Sequence, residues 1–254
     1  MFPSIPHLAL TATATSTNMK TLADVLLFEN PTYIIVNPDR PNIHLSIKSK
    51  LPNIRKYEKL DTILVDLAKE LRDKREEFPI TVVYCENLES VGYCYLYVSD
   101  QLEKLQYVPV GDDEPENRIF AQYHKDYTKK MKKHIISELQ KSDSKIRLVF
   151  ATVALGMGLN APNITRVIHL RPPTTLEKYV QEIGRAGRSG QQSSAVLYYN
   201  NSDIGENRKG LDRAIVTYVK SSTCLRKTLL EYFGFSDVLF DGPKELCCSN
   251  CSDN

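Results

Sequence analysis

Residues 147–190 constrain this chain more than any other stretch: RLVFATVALGMGLNAPNITRVIHLRPPTTLEKYVQEIGRAGRSG. An apolar strand precedes a glycine-rich loop, a second strand follows, and a helix ends at GRAGR, residues 184–188. Glycines let backbone N–H groups approach an anion, and guanidinium groups stay charged at physiological pH. The stretch therefore predicts a unit that handles the phosphates of nucleotides or nucleic acids.

The helix within this stretch has its own local signals. Thr174 and Glu177 have the spacing of a capping box, which predicts where the helix begins. Helical spacing predicts a buried stripe made of Leu176, Tyr179, Val180 and Ile183. Gln181 and Arg185 lie four residues apart on another face, and Arg188 follows just beyond the helix end.

Apolar runs elsewhere alternate with helical patterns. Residues 80–85 are continuously apolar, which predicts a strand covered on both faces, and Asn87 is predicted to cap the next helix. Further strands are predicted at 146–152, 165–170 and 194–199, and helical spacing covers 60–71. This alternation predicts an α/β fold with a mainly parallel sheet flanked by helices.

The remaining segments carry weaker signals. Four predictions cover them: a strand end at 8–10 before a Thr/Ser helix cap, two extended segments within 33–50, an exposed acidic loop at 107–118, and helices over 205–234. A helix is also predicted from residue 122 to 144, with Lys129, Lys130, Lys132 and Lys133 in its first part. Basic residues there oppose the helix dipole. A nucleic-acid backbone and a plain solvated face both remain open as explanations.

Composition limits the possible partners. The 254 residues suffice for one large or two modest domains, and the net charge of +2 means that any basic surface must be local. No run approaches the 18 apolar residues of a membrane span, so no membrane partner is expected. The first residues lack the pattern of a signal peptide, which favours a cytosolic or nuclear protein with reduced thiols.

Taken together, these segments resemble the second half of a RecQ-type DNA helicase of superfamily 2. LALTATAT (8–15) resembles motif III, DRPN (39–42) the inter-lobe segment, VVYCENLES (82–90) motif IV, and Tyr123-His124 the segment after it. Residues 147–170 resemble motif V, and YVQEIGRAGRSG (179–190) resembles motif VI. The cysteines after residue 223 are similar to the family's zinc-binding region.

The resemblance implies a division of the chain and an activity. Residues 1–30 would be a remnant of helicase lobe 1, residues 31–204 the RecA-like lobe 2, and residues 205–254 a small helical zinc-binding region. The implied activity is ATP-dependent 3′–5′ unwinding of DNA in repair and recombination, on a single strand and duplex junction. A nuclear location is implied, with the cytoplasm as the alternative.

The resemblance also implies roles for single residues. Arg185 and Arg188 would act on the ATP phosphates beside Gln181, with Arg188 as the arginine finger. Nucleotide contacts would come from Gly156, Gly158 and Asn160, although the family usually has Asp at the last of these positions. Nucleic-acid contacts would come from Thr152, Asn87 and Thr13.

The six cysteines divide into two groups. Cys85 and Cys94 lie in apolar surroundings and are predicted to be buried thiols. Cys224, Cys248 and Cys251 match the family's zinc ligands. The fourth ligand stays open among Asp253, a terminal carboxylate and a residue beyond the chain, since Cys247 is adjacent to Cys248 and neighbours rarely share a metal. Four reduced thiols without metal are the alternative.

Two departures from the family pattern restrict the expected activity. The sequence contains neither G-x-x-x-x-G-K-[ST] nor an Asp-Glu-x-His box before TATAT. ATP and Mg²⁺ would therefore need a lobe that precedes these residues in the same protein. Two hypotheses follow: part of a helicase motor, inactive as residues 1–254 alone, or a non-catalytic module that binds nucleic acid or protein.

Overall fold

A six-stranded sheet forms the centre of the molecule. The computed structural model describes residues 5, 7–11, 13–53, 56–152 and 161–252. The strands are β1 (Ile43–Ser49), β2 (Thr81–Tyr84), β3 (Phe120–Tyr123), β4 (Leu148–Ala151), β5 (Arg166–His169) and β6 (Ser193–Tyr199). Their order is β1-β6-β5-β2-β4-β3, and all five pairings are parallel. The predicted α/β class with a parallel sheet is confirmed.

Helices connect the strands and cover both faces of the sheet. They are α1 (Ser16–Val25), α2 (Asp61–Lys74), α3 (Leu88–Leu102), α4 (Lys129–Gln140), α5 (Leu176–Ile183), α6 (Arg213–Val219), α7 (Leu225–Tyr232), α8 (Lys244–Cys247) and α9 (Ser249–Ser252). One apolar cluster joins the sheet to α4, α5, α6 and α7, and a second joins it to α2 and α3. Alternate strand residues point into the two clusters, as the two-residue period of a strand requires.

The core confirms several local predictions. All four residues of β2 are buried, because helices cover both faces of that strand. Asn87 caps α3 in a reciprocal capping box with Ser90. Cys85 and Cys94 are buried, as predicted.

The C-terminal residues share the core of the sheet. Leu225 and Leu229 of α7 lie in the same apolar cluster as Ile43 and Leu45 of β1. Cys248 forms an isolated parallel bridge with Leu45. The predicted helical segment 205–234 contains α6 and α7 with a non-helical connection between them. The division into three domains remains a prediction.

One strand prediction is wrong. Residues 8–10 form no strand, and Leu8 and Leu10 are 82% and 85% exposed. Of the two extended segments predicted within 33–50, Ile43–Ser49 pairs with β6 and forms strand β1. A strand needs a neighbour for its backbone hydrogen bonds, and an apolar composition alone does not supply one.

The helix predicted from residue 122 begins seven residues later. Residues 120–123 form β3, which the sequence did not predict, and pair with β4. Thr128 then caps α4 by accepting from the Met131 backbone N–H. Ala121 and Gln122 tolerate a helix by propensity, so the strand is decided by its pairing.

The capping box predicted at the start of α5 is also wrong. Thr175, rather than Thr174, is the N-cap, and its hydroxyl accepts from the Lys178 N–H at 3.3 Å. Because the helix starts one residue later, Glu177 accepts from the Tyr232 hydroxyl instead. The buried stripe of α5 also differs from the prediction, because Glu182 is buried and Val180 is only half-buried.

Candidate functional site

The turn at residues 184–190, here called the arginine turn, has a fixed backbone. Gly187 has φ +64°, and its N–H donates to the Ile164 carbonyl at 2.8 Å. A Cβ at this position would lie 2.3 Å from Nδ2 of Asn42. Only glycine fits this conformation in this space.

Two side chains of the DRPN segment hold the arginine turn in place. The Arg40 guanidinium donates to the carbonyls of Ala186 at 3.2 Å and Gly187 at 2.8 Å. Asn42 Nδ2 donates to the carbonyls of Gly187 at 2.8 Å and Gln191 at 2.9 Å. The sequence marked DRPN as a family segment but not as the support of motif VI. No local signal could have shown it, because about 145 residues separate the two segments.

The three predicted catalytic residues differ in their exposure to solvent. Arg185 is 4% exposed, whereas Arg188 and Gln181 are exposed. Partial burial lowers the pKa of Arg188, and the positive charges of Arg185 and Arg40 lower it further. Three guanidinium groups therefore lie near one another at the arginine turn. Such a concentration of like charge favours a bound anion.

A buried histidine–carboxylate pair connects α5 to the sheet beneath this turn. His169 Nε2 lies 2.7 Å from Oε2 of Glu182, and both side chains are buried. The Tyr84 ring stacks on His169 with centroids 4.9 Å apart. Burial raises the pKa of Tyr84, while the charge of Arg185 acts to lower it. Tyr84, His169 and Glu182 were missed as site residues because their strands and helix meet only in the fold.

Two of the predicted nucleic-acid residues lie at the carboxyl edge of the sheet. Thr152 follows β4 and is half-buried, and its N–H donates to the Tyr123 carbonyl at 3.2 Å. Asn87 follows β2 and is exposed, and its Oδ1 accepts from the Ser90 N–H at 2.8 Å. Its side-chain NH₂ has no partner among the described residues. Both residues can therefore meet a ligand that crosses this edge.

Of the other predicted contact residues, Thr13 lies in a different segment from Asn87 and Thr152, and the rest lie outside the described residues. Thr13 lies before α1, where its N–H donates to the Thr11 hydroxyl at 3.3 Å. Asn18 of α1 contacts Glu177 of α5 at 3.2 Å, which brings this segment beside the start of α5. Gly156, Gly158 and Asn160 lie outside the described residues, so their predicted nucleotide contacts stay predictions.

Four cysteine sulfurs converge at the C-terminal end of the chain. The Sγ atoms of Cys224, Cys247, Cys248 and Cys251 all lie within 4.8 Å of one another. The Sγ atoms of Cys224 and Cys247 are 3.7 Å apart. Tetrahedral zinc with bonds of about 2.3 Å requires sulfurs about 3.8 Å apart. The number, type and spacing of these donors fit a structural zinc ion.

The expectation that Cys247 stays outside the cluster is wrong. Cys247 ends α8, whereas Cys248 has the extended backbone angles φ −164° and ψ 164°. Because the backbone changes direction between the two residues, the side chains of Cys247 and Cys248 both reach the cysteine cluster. Asp253, an alternative fourth ligand, lies outside the described residues.

The surroundings of the sulfurs suit thiolates. The Leu225 N–H donates to Cys248 Sγ at 3.4 Å. Burial acts to raise the pKa of Cys224, but hydrogen bonds from the Lys227 backbone and from Cys251 lower it overall. Burial raises the pKa of Cys247 and of Cys251. A bound cation would offset that last effect, since thiolate is the form that binds metal.

The family model and two relatives that match this chain are all described as helicases. The helicase conserved C-terminal domain matches residues 56–190, which are 135 of the 254 residues. A protein of Acanthamoeba polyphaga mimivirus, named as an ATP-dependent RNA helicase, is 31% identical over 269 residues, covering 99% of this chain and 43% of the relative. The ATP-dependent DNA helicase RecQ of Haemophilus influenzae is 27% identical over 265 residues, covering 98% of this chain and 37% of the relative.

The solved structures support the fold. Dbp5 of S. cerevisiae, bound to RNA and ADP BeF3, is similar with a TM-score of 0.57 and 14% identity, covering 88% of this chain and 48% of that chain. This similarity confirms the RecA-like α/β fold. The chain spans 43% and 37% of the length of the two curated relatives described above. The chain belongs to the helicase conserved C-terminal domain family, and almost its whole length is similar to RecQ-type ATP-dependent helicases.

Proposed function

We propose that this chain is the second RecA-like lobe and the zinc region of an ATP-dependent 3′–5′ DNA helicase that acts in repair and recombination. The observation that carries the proposal is the arginine turn, which Arg40 and Asn42 hold rigidly at the end of α5. A rigid turn suits transition-state stabilisation, because donors that are already in position need no reorganisation during the reaction.

Arg188 is the proposed arginine finger. Arg188 is exposed, whereas Arg185 is buried. Arg188 would stabilise the charge that develops on the transferring γ-phosphoryl group. Arg185 would orient the turn and add positive potential, and Gln181 would lie beside the same phosphates.

The rest of the ATP site must come from another lobe. These 254 residues contain no Walker A lysine and no Asp-Glu-x-His box. Mg²⁺, when bound there, would neutralise the charge of the phosphates. The proposed partner is therefore a first RecA-like lobe in the same protein, with residues 1–30 as its last portion.

DNA is the proposed nucleic-acid partner, bound as a single strand beside a duplex junction. Asn87 and Thr152 lie at one edge of the sheet, and Asn87 has an NH₂ group to offer a phosphate. Thr13 would add a contact that responds to the nucleotide state. The names of the relatives mention both DNA and RNA, so RNA is an outcome that the experiment must distinguish.

Zinc is the proposed occupant of the cysteine cluster. Cys224, Cys247, Cys248 and Cys251 supply four sulfurs within 4.8 Å of one another, and one pair is 3.7 Å apart. The ion would have a structural role, because four protein ligands leave no open position for a substrate. A nuclear location is proposed with this function. In the described part of the chain, every helix is too short or too polar to cross a membrane.

The experiment measures binding and hydrolysis by the purified chain. We expect it to bind a fluorescent 20-nucleotide oligo-dT in low salt more tightly than oligo-U, and Asn87→Ala with Thr152→Val to weaken that binding. We expect no DNA-stimulated ATP hydrolysis from these residues alone. Hydrolysis that disappears in Arg188→Ala would contradict the proposal that another lobe completes the site.

Binding without any contribution from Asn87 or Thr152 would favour the alternative function. That alternative is a non-catalytic module that binds nucleic acid or protein through another surface. A preference for oligo-U over oligo-dT would make RNA the substrate.

A further inference from the structure

The N-terminal part of α4 and the turn before it carry a concentration of positive charge. Five lysines form what we call the α4 lysine patch: Lys125, Lys129, Lys130, Lys132 and Lys133. The first turn of α4 contains no acidic residue. Positive charge at a helix N-terminus opposes the helix dipole. The patch is therefore unfavourable for the stability of its own helix.

Internal neutralisation accounts for only part of the patch. Lys130 pairs with Glu116 at 2.9 Å, and Lys132 donates to the Lys125 carbonyl at 2.8 Å. Lys129 and Lys133 are exposed, and neither forms an ion pair with a described residue. They are four residues apart on the same side of the helix, where like charges repel each other. An external anion would remove both penalties.

The sheet topology places this patch at a definite edge. Tyr123, Ala151 and Tyr84, the last residues of β3, β4 and β2, lie level with one another. The chain segment after Tyr123 leads into α4. The patch therefore lies at the carboxyl edge of the sheet, on the same side as Thr152 and Asn87.

The distances suit a single strand of nucleic acid. Neighbouring strands are about 4.8 Å apart, so the ends of β2 and β3 are separated by about 10 Å. That separation is short enough for one extended strand to contact both ends. A ligand lying across the ends of β2 and β4 would continue directly onto α4.

We propose that the α4 lysine patch binds backbone phosphates of the same nucleic-acid strand that contacts Asn87 and Thr152. This inference rests on the proposed function and adds a contact surface outside the helicase motifs. Lysine ammonium groups act as point charges on phosphates, so the contribution is independent of base sequence.

The test compares two charge-matched double variants of the purified chain. Lys129→Gln with Lys133→Gln removes two charges from the patch. Lys69→Gln with Lys104→Gln removes two exposed charges near the opposite edge, where α2 ends and α3 has ended. Binding of fluorescent 20-nucleotide oligo-dT is measured from 50 to 200 mM salt, and thermal unfolding is measured for each variant.

The patch variant should bind on the order of 10-fold more weakly at 0.1 M salt, with the slope of log K against log salt reduced by about 1.4. Its melting temperature should be equal to or above that of the wild type, because two unfavourable charges are gone. The control variant should match the wild type in binding. This combination of weaker binding and undiminished stability would not arise from damage to the fold.

Other results would overturn the inference while leaving the proposed function in place. Unchanged affinity and slope in the patch variant, with weakened binding in Asn87→Ala, would show that the strand does not reach α4. Polyglutamate that competes as well as oligo-dT of equal charge would indicate an acidic protein partner instead. If the wild-type chain binds no oligo-dT even at 50 mM salt, the proposed function itself fails.

Discussion

Arg226 and Asp39 form a buried ion pair in which Nη1 lies 2.6 Å from Oδ1, with each side chain 2% exposed. The same guanidinium donates to the carbonyl oxygens of Arg40 at 2.9 Å and Ile43 at 2.7 Å. Arg226 lies one residue after Leu225, whose N–H contacts the cysteine cluster. Arg40 supports the arginine turn. One pair of residues thus links the proposed metal region to the proposed ATP-binding turn.

Replacing Arg226 with Met should destabilise the chain strongly. The substitution leaves Asp39 as an unpaired buried carboxylate, which costs about 3–5 kcal/mol of the free energy of unfolding. Chemical denaturation measures the change. Lys227→Ala is the matched control: Lys227 is the next residue, and its exposed pair with Glu231, at 3.9 Å, should contribute less than about 1 kcal/mol. Equal losses in the two variants would contradict the structural role of the buried pair.

Alanine at Gly187 should be far more damaging than alanine at Gly190. Both glycines have positive φ, of +64° and +85°, so each substitution costs about 1–2 kcal/mol in backbone strain. At Gly187 the added Cβ also meets Asn42 Nδ2 at 2.3 Å, whereas nothing lies within 4 Å at Gly190. Overpacking should add about 1–3 kcal/mol at Gly187, measured by denaturation. Similar stabilities of the two variants would show that Asn42 moves away at little cost.

Each purified chain should contain one zinc ion. Cys247→Ser should lose metal as completely as Cys248→Ser, because both sulfurs lie in the cluster. Cys85→Ser should keep its zinc, since Cys85 is buried beside the sheet instead. Elemental analysis of dialysed protein measures the metal content. A full zinc content in Cys247→Ser would show that another residue is the fourth ligand.

Acid should weaken the attachment of α1 and α7 to α5 through Glu177. Burial acts to raise the pKa of Glu177, but hydrogen bonds, the strongest from Tyr232, bring it below its ordinary value of 4.5. Between the folded pKa and 4.5 the unfolded chain binds more protons. The contribution is therefore fully present above about pH 5 and is lost as the pH falls through the folded pKa.

Two variants test this dependence. Tyr232→Phe removes one hydrogen bond to the carboxylate, which should cost on the order of 1 kcal/mol at pH 7 and less at pH 3. Glu177→Gln should make the stability less sensitive to pH over the same range. Denaturation midpoints at both pH values provide the measurement. An unchanged pH profile in both variants would show that Glu177 titrates normally.

Local patterns were sufficient for much of the sheet and its motifs. The apolar run at 80–85 became β2, and Asn87 became the cap of α3, since both depend on neighbours in sequence. The four-residue β3 escaped prediction because its stability comes from β4, not from its own composition. The start of α5 was misplaced by one residue, because Thr174 and Thr175 are equivalent candidates for the N-cap in sequence.

The sequence by itself determined the α/β class, the family and the order of the motifs, because these depend on periodicity and residue type along the chain. Only the tertiary structure decided which distant groups meet: Arg40 with Gly187, Arg226 with Asp39, and Cys247 with the other three thiols. Those contacts join residues up to 187 positions apart. No local pattern records them, since they arise when the sheet and the C-terminal helices pack into one core.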